Sequence, residues 1–374
     1  MENRMGDRPR LVMWELTRAC RLACAHCPIG SQPRRSALEL STYEAYKTID
    51  QIVAISPEEI IITGGDPLER PDIYELIDYT RRRGLQPSLM VSATPALTGA
   101  AIGKLKRNGL GSLIISVDSA APEKHDSARG VSGQFGATLL AIRWARTAEL
   151  PVEINTLLGR QNLHELPRIA ELLTDVGVHR WNVFFQVPVG GSKHVESLTA
   201  AEVEQGFEQL HLISRRASFG VRTFEAPHYR RFVLQKAVEE RLRSVDDYFE
   251  AGDGGLRVGD DTGRAAVAVN NYLYITHHGE ATLSPFLPMT AGNVRYQPLN
   301  AIYRHGELFA AVRDEVNLKG KCGRCEFRTV CGGSRARAFA MTGDLFASDP
   351  LCVYEPGTFL PVAHTVVPEA APRT

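Results

Sequence analysis

The chain has 374 residues, of which 44% are hydrophobic and 23% charged, as is usual for a globular protein with a large core. This length favours one large domain, or a large domain followed by a small one. Lys plus Arg and Asp plus Glu number 43 each, so we expect neither nucleic acid nor an anionic membrane as a partner. The polar N-terminus and the lack of a long apolar run in the sequence predict a cytoplasmic protein.

Short apolar, β-branched runs alternate with amphipathic stretches, which predicts repeated βα units. The predicted strands are residues 11 to 17, 59 to 63, 88 to 93, 112 to 118, 152 to 158 and 181 to 187. Ser41 and Glu44 form a capping-box pattern at one helix start, and Thr98 precedes a helix that closes at Gly109. Such units give a doubly wound sheet or a curved barrel, and periodicity does not choose between them.

The pattern changes after about residue 190. Two polar helical stretches precede a Gly/Asp-rich stretch at 251 to 264, which predicts a linker. Beyond it we expect two strands that turn at His277 and His278, with both side chains exposed, and then a helical stretch at 299 to 316. The predicted division is a flexible N-terminus (1 to 9), a main domain (10 to 250), a small domain (265 to 358) and a tail (359 to 374).

Three of the seven cysteines, Cys20, Cys24 and Cys27, directly follow the first predicted strand. In a reducing compartment, clustered thiols are more often metal ligands or redox groups than disulfides. Three thiolates can bind three corners of a four-iron cluster and leave one iron open, whereas a zinc site would need His26 as its fourth ligand. The position favours the cluster, because loops at the carboxyl ends of parallel strands build active sites.

The remaining cysteines form a second group near the C-terminus: Cys322, Cys325, Cys331 and Cys352. Four thiolates are enough to close either a [4Fe-4S] cluster or a structural zinc site. The spacing alone leaves zinc as a serious alternative.

The CxxxCxxC spacing after the first strand resembles that of the radical S-adenosylmethionine (radical SAM) superfamily. "TGGDP" (63 to 67) resembles the family's GGEP segment, which meets the amino group of the SAM methionine, and "SVDSA" (116 to 120) ends the fourth strand as in many members. The resemblance implies an α/β fold, a partial (βα)6 barrel of the TIM type, with a small C-terminal iron-sulfur extension. It also implies that the first three cysteines bind a [4Fe-4S] cluster whose open iron chelates SAM.

The resemblance further implies SAM contacts at four strand ends. They are Gly64, Gly65, Asp66, Pro67, Ser116, Asp118, Asn155, Gln186 and Val187. Asp66 departs from the family's usual Glu and has a shorter reach. In the implied reaction the reduced cluster cleaves SAM to a 5′-deoxyadenosyl radical, which abstracts a substrate hydrogen. No acid or base is assigned, because the radical comes from the cofactor.

The C-terminal segment resembles the SPASM/twitch extension of radical SAM enzymes, whose full form has seven cysteines for two auxiliary clusters. Ser284 and Ser334 stand where the full form often has cysteines. The resemblance therefore implies a single auxiliary [4Fe-4S] cluster with four cysteine ligands, which could transfer electrons or support the fold.

The stretches "WELTRAC", "TGGDPL" and "CGRCEFRTVCGGSRARA" are most similar to the subgroup that contains the anaerobic haem-pathway enzymes. This implies a tetrapyrrole carboxylate as substrate and a reducing electron donor such as a flavodoxin or ferredoxin. The alternatives are modification of a ribosomally made peptide and, from another class, a non-catalytic carrier of iron-sulfur clusters or zinc. The segment 223 to 231 is either a substrate-facing strap with carboxylate-binding arginines or a solvated helix start.

Overall fold

The structure is a computed structural model that describes residues 8–239 and 271–359. The strands are β1 (Leu11–Glu15), β2 (Glu59–Thr63), β3 (Pro87–Val91), β4 (Ser112–Ser116), β5 (Val152–Leu158), β6 (Arg180–Phe185), β7 (Gly220–Phe224), β8 (Tyr272–Ile275), β9 (Glu280–Thr282) and β10 (Thr290–Asn293). The helices of the first part are α1 (Thr42–Ala54), α2 (Ile73–Arg82), α3 (Gly99–Arg107), α4 (Pro122–Arg129), α5 (Gln134–Thr147), α6 (Leu166–Val176), α7 (Ala200–Ser214) and α8 (His228–Glu239).

Four further helices follow β10: α9 (Leu299–His305), α10 (Glu307–Arg313), α11 (Gly320–Arg324) and α12 (Arg335–Thr342). Short 3-10 helices cover Pro67–Glu69, Leu163–Glu165, Gly190–His194 and Glu315–Asn317. Within the described residues, no helix is both long and apolar enough to cross a membrane.

All ten strands belong to one sheet, in the order β10-β9-β8-β1-β2-β3-β4-β5-β6-β7. β8 and β1 to β7 form a parallel sheet, and β9 and β10 extend it beyond β8 with antiparallel pairs. The sheet is not closed, so the prediction of a partial barrel is confirmed. All six predicted strands are present, with ends that differ by one or two residues.

Alternate residues of the strands face two different apolar layers. Val12 and Trp14 of β1 pack with the surrounding helices, whereas Leu11 and Met13 point to the concave side together with Tyr272 of β8. Burial on both faces explains why these strands read as nearly continuous apolar runs in the sequence. The side chains that build the site project from this concave side.

The sequence missed the seventh parallel strand, β7. Its Arg222 breaks the apolar pattern, but this side chain is buried and donates to Glu59 Oε2 at 2.8 Å. At this position of β7 an ion pair stands where strand prediction expects an apolar residue.

The predicted hairpin after the linker exists as β8 and β9, but it does not form a separate sheet. β8 pairs in parallel with β1, with Leu11 opposite Tyr272 and Trp14 opposite Ile275. One sheet thus crosses the predicted boundary between the two domains. The predicted linker at 251 to 264 lies outside the described residues.

Helix starts follow the sequence signals closely. Ser41 and Glu44 form the predicted capping box on α1, and the Thr98 hydroxyl accepts from Ala101 N at the start of α3. The single helical stretch predicted at 299 to 316 is instead two helices, α9 and α10, because Gly306 adopts an extended conformation between them.

Candidate functional site

Backbone hydrogen bonds close the loop that carries Cys20, Cys24 and Cys27. Cys20 N donates to Gln32 O at 2.8 Å, and Gln32 N donates to Arg18 O at 2.7 Å. Ala25 N donates to Ala128 O at the end of α4. The three thiols line one cavity at the carboxyl ends of the strands, which we call the cofactor cavity. Burial raises the pKa of Cys20 to about 11, so the bare thiol stays protonated at neutral pH.

The glycine pair after β2 lies directly against the residues that lead into Cys20. Gly65 N donates to Thr17 O and Asp66 N to Ala19 O, both at 2.7 Å. A Cβ on Gly64 would lie 2.3 Å from Thr17 O, and one on Gly65 would lie 2.4 Å from Ala19 O. Only glycine allows this approach, which fixes the cysteine loop to β2.

A second glycine pair supports the other end of the cysteine loop. Gly191 N donates to Cys27 O at 2.9 Å, and a Cβ on Gly190 would lie 2.4 Å from Pro28 O. This pair begins the 3-10 helix Gly190–His194. Its glycines pack against the backbone of the cysteine loop.

A buried charged cluster lies beside Cys24. Asp118 Oδ2 forms an ion pair with Arg129 Nη2 at 2.5 Å, and Asp118 Oδ1 accepts from Leu157 N at 3.0 Å. Burial alone would raise the pKa of Asp118, but the charges of Arg129 and His26 outweigh it and lower this pKa. Arg129 Nη1 also lies 3.9 Å from Cys24 Sγ. The cluster therefore brings a guanidinium next to a thiol that must become a thiolate to bind iron.

The structure brings most predicted SAM-contacting residues to the cofactor cavity. The lining includes the predicted Gly64, Gly65, Ser116, Asp118, Asn155 and Val187. The sequence suggested that Asn155 ends β5, but the structure places it in the middle of this strand.

Two of the predicted contacts, Asp66 and Gln186, have other hydrogen-bond partners. The Asp66 carboxylate accepts from Thr94 Oγ1 at 2.7 Å and from Leu68 N at 3.1 Å, where it caps the 3-10 helix that contains Pro67. Gln186 Nε2 donates to the carbonyls of Ser192 and Val195. These side chains stabilise the loops around the cavity.

A second cavity opens beside the cofactor cavity, and we call it the outer cavity. Pro28, Tyr274, Pro285 and Phe286 line both, so the two spaces are contiguous. The rest of the outer cavity mixes apolar walls, among them Leu287, Met289 and Phe339, with polar and charged side chains. Its position suits a substrate that must reach the bound cofactor.

Sequence reasoning missed a polar group at the junction of these cavities. Glu15 ends β1 with its side chain buried, and it accepts hydrogen bonds from Arg18 Nε at 3.0 Å and from the Tyr274 hydroxyl. His277 Nδ1 also contacts Glu15 Oε1, so the prediction that His277 is an exposed turn residue is wrong. A Glu at the end of an otherwise apolar strand was the available signal.

The second cysteine group surrounds one small cavity, which Cys322, Cys325, Cys331 and Cys352 all line. Gly333 N donates to Cys331 Sγ at 3.4 Å, and Arg335 Nη2 lies 3.7 Å from Cys322 Sγ. Burial raises the pKa of Cys352 to about 11. N–H donors aimed at sulfur are a usual feature of iron-sulfur sites.

A buried ion pair holds the segment that carries the last cysteine. Arg337 binds both oxygens of Asp349, at 3.0 and 2.8 Å, and Ser334 N donates to the same carboxylate at 2.8 Å. Burial alone would raise the pKa of Asp349, but Arg337 outweighs it and holds this pKa well below its usual range. The pair fixes α12 relative to Cys352.

The segment 223 to 231 does not form a substrate-facing strap. Arg231 is buried and binds Glu204, and His228 and Tyr229 are buried as well. Glu225 accepts hydrogen bonds from Ser334 at 2.6 Å and Ser284 at 3.3 Å, the two serines that stand at expected cysteine positions. The segment therefore joins the barrel to the C-terminal residues.

A partial βα barrel with three cysteines on the loop after β1, packed against a glycine pair after β2, defines the class of this protein. The chain belongs to the radical SAM superfamily, whose family model matches residues 14–173. It is a radical SAM enzyme, and membership implies S-adenosylmethionine and a [4Fe-4S] cluster as cofactors.

Curated relatives match nearly the whole chain. The "AdoMet-dependent heme synthase" of Methanosarcina barkeri is 37% identical over 355 residues, which cover 94% of this chain and 99% of that protein. The "Fe-coproporphyrin III synthase" of the same organism is 28% identical and covers 92% and 88%. SuiB of Streptococcus suis bound to S-adenosylmethionine has the same fold, with a TM-score of 0.69, 15% identity and coverage of 93% and 78%.

Proposed function

We propose that this radical SAM enzyme modifies the carboxylate side chains of a tetrapyrrole. The observation that carries the proposal is the 37% identity to a haem synthase over 94% of the chain. The outer cavity adds support, since it adjoins the cofactor cavity and combines apolar side chains such as Phe286 and Met289, which suit a flat macrocycle, with the cation Arg18, which suits its carboxylates.

The first [4Fe-4S] cluster is assigned to Cys20, Cys24 and Cys27. Three thiols around one cavity leave one iron free for SAM. Burial raises the pKa of the Cys24 thiol, and the charge of the neighbouring Arg129 offsets part of this rise. In the described parts of the chain, no three His, Cys, Asp or Glu side chains converge on a single metal-ion position. A cluster distributes its thiolates over separate irons, which suits this arrangement.

The chain's own residues hold the cofactors and shield them. With SAM bound, the cluster supplies one-electron cleavage and a 5′-deoxyadenosyl radical. Gly64 and Gly65 line the cofactor cavity and would adjoin the methionine part of SAM, while Ser116 and Asn155 would offer hydrogen-bonding groups on the cavity wall. Val187 and Leu157 provide apolar walls that keep water from the reacting atoms.

A second [4Fe-4S] cluster is assigned to Cys322, Cys325, Cys331 and Cys352. All four thiols line one cavity, and an arginine and a backbone N–H are directed at two of the sulfurs. Four protein ligands leave no iron for substrate, so this cluster transfers electrons or stabilises the SPASM/twitch-like residues 265 to 358. Residues 10 to 250 form the catalytic part in this proposal, which acts in the cytoplasm with a flavodoxin or ferredoxin as reductant.

The test measures cofactors and product on anaerobically reconstituted protein. We expect about eight irons per chain from two clusters, and an EPR signal that changes on SAM addition and disappears in Cys20→Ala/Cys24→Ala/Cys27→Ala. Iron coproporphyrin III or a sirohaem-derived tetrapyrrole should stimulate 5′-deoxyadenosine formation. Absence of stimulation by every tetrapyrrole tested would reject the substrate class, and zinc in place of four irons would reject the second cluster.

A ribosomally made peptide is the second proposed substrate. The supporting observation is the shared fold with SuiB in complex with its precursor peptide SuiA, at a TM-score of 0.69. Peptide-dependent 5′-deoxyadenosine formation, together with no response to tetrapyrroles, would favour this alternative.

A further inference from the structure

Arg18 lies where the outer cavity meets the cofactor cavity. It follows β1, two residues before Cys20, and its side chain is about one third exposed, at 34%. Arg18 and Glu15 line the outer cavity next to Tyr274, which lines both cavities. A group bound by Arg18 would therefore lie beside the space assigned to the cofactor.

A buried carboxylate fixes one edge of the guanidinium. Glu15 Oε1 accepts from Arg18 Nε at 3.0 Å and contacts His277, while Oε2 accepts from the Tyr274 hydroxyl. Burial alone would raise the pKa of Glu15, but His277, Tyr274 and Arg18 outweigh it and lower this pKa. Glu15 thus stays charged and orients Arg18.

The outer edge of Arg18 is available for a ligand. A guanidinium carries five N–H donors in a planar fork, and Glu15 uses only the Nε donor. Among the described residues, the structure shows no other hydrogen-bond acceptor for this side chain. The two Nη groups match the geometry by which arginine binds a carboxylate in bidentate fashion.

The surrounding charges fit an anionic group on an otherwise apolar ligand. Lys193 is the other cation in the lining of the outer cavity, and it is exposed. The acids in that lining are Glu15, whose oxygens already accept from Arg18 and Tyr274 and contact His277, and Glu280. Apolar side chains such as Phe286 and Met289 make up much of the remaining wall.

We propose that Arg18, oriented by Glu15, binds a carboxylate of the substrate and so positions the side chain that reacts. Lys193, in the 3-10 helix that follows β6, adds a second, weaker attraction for the carboxylate. The inference rests on the proposed function, because it takes a carboxylate-bearing macrocycle as the ligand. In this proposal, Arg18 is the side chain that makes the enzyme prefer a substrate with a free carboxylate.

The experiment compares two ligands with the same macrocycle, one with free carboxylates and one with methyl esters in their place. Iron coproporphyrin III and its tetramethyl ester are titrated into anaerobically reconstituted protein, and binding is followed by the Soret absorbance. The proteins are wild type, Arg18→Gln, Arg18→Lys and the control Arg34→Gln, since Arg34 is exposed and lies outside both cavities. Iron content and SAM binding are measured on each protein.

We expect wild type and Arg34→Gln to bind the acid more tightly than the ester. Arg18→Gln should weaken acid binding roughly 10- to 100-fold, the range of a lost hydrogen bond to a charged group, and leave ester binding unchanged. Arg18→Lys keeps the charge but not the fork, so it should recover only part of the loss.

An unchanged preference for the acid in Arg18→Gln, with iron content intact, would overturn the inference. If Arg18→Gln loses iron, Tyr274→Phe takes its place, because it loosens Glu15 and keeps the Arg18 charge; equal acid binding in this variant and wild type would then overturn the inference. If wild type itself binds neither ligand, the tetrapyrrole proposal fails, which is a different result from a failure of Arg18.

Discussion

Gly65→Ala tests whether the glycine pair after β2 positions the cysteine loop. The new Cβ would lie 2.4 Å from Ala19 O and 2.6 Å from Arg18 O, and both atoms are backbone that cannot rotate away. Overpacking of this kind costs about 1–3 kcal/mol. The hydrogen bonds Gly65 N to Thr17 O and Asp66 N to Ala19 O would lengthen, which adds about 1 kcal/mol for each bond that is lost.

The expected loss of stability is therefore roughly 2–4 kcal/mol. The control is Gly136→Ala in α5, where an added Cβ meets nothing within 4 Å and alanine favours the helix by about 0.5–1 kcal/mol. Thermal unfolding at one scan rate should show a midpoint at least about 3 °C lower for Gly65→Ala than for Gly136→Ala. The SAM-responsive EPR signal should fall as well, and equal midpoints with equal signals in both variants would refute the reasoning.

Three further predictions concern charge and the second glycine pair. Asp349→Asn leaves Arg337 buried without its carboxylate and should destabilise the protein by about 3–5 kcal/mol in thermal unfolding, whereas Asp344→Asn, at a side chain that is 38% exposed, should change the midpoint much less; similar midpoints for the two variants would contradict this. Burial, followed by the charge of Arg129, lowers the pKa of His125 to about 4, so the folded protein keeps it neutral while the unfolded chain protonates it near 6.5. The neutral His125 therefore costs no stability above pH 6.5, and the folded protein loses about 1.4 kcal/mol of stability per pH unit as the pH falls below that value. His125→Asn should flatten the pH dependence of the thermal unfolding midpoint between about pH 6.5 and 5. Parallel curves for the variant and wild type would argue against this. Gly191→Ala, whose Cβ would lie 2.8 Å from Cys27 O, should weaken the SAM-responsive signal and leave the second cluster's signal unchanged, as EPR would report.

The sequence predicted the features that depend on short segments. The six strands and the helix starts at Ser41 and Thr98 follow from local apolar patterns and capping residues, which act within a few positions of one another. The family motifs led to the partial barrel. These signals are contained in contiguous residues and need no knowledge of what packs against them.

The sequence did not predict features that join distant segments. Arg222 interrupts the apolar pattern of β7, and its partner Glu59 lies 163 positions away, where a local pattern does not reveal it. His277 looked like an exposed turn residue because nothing near it in sequence reveals its contact with Glu15. Pairing between β1 and β8 belongs to the same class, since each strand is an ordinary apolar run by itself.

The pairing of β8 with β1 limits how the two parts of the chain can be separated. Removal of the residues after 239 would leave β1 with an exposed strand edge, immediately before the loop that carries the first cysteines. It would also remove Tyr274, one donor to Glu15, and one wall shared by both cavities. The C-terminal part is therefore not a detachable module: an exchange between relatives would have to transfer β8, the Glu15 contacts and the cysteine loop together.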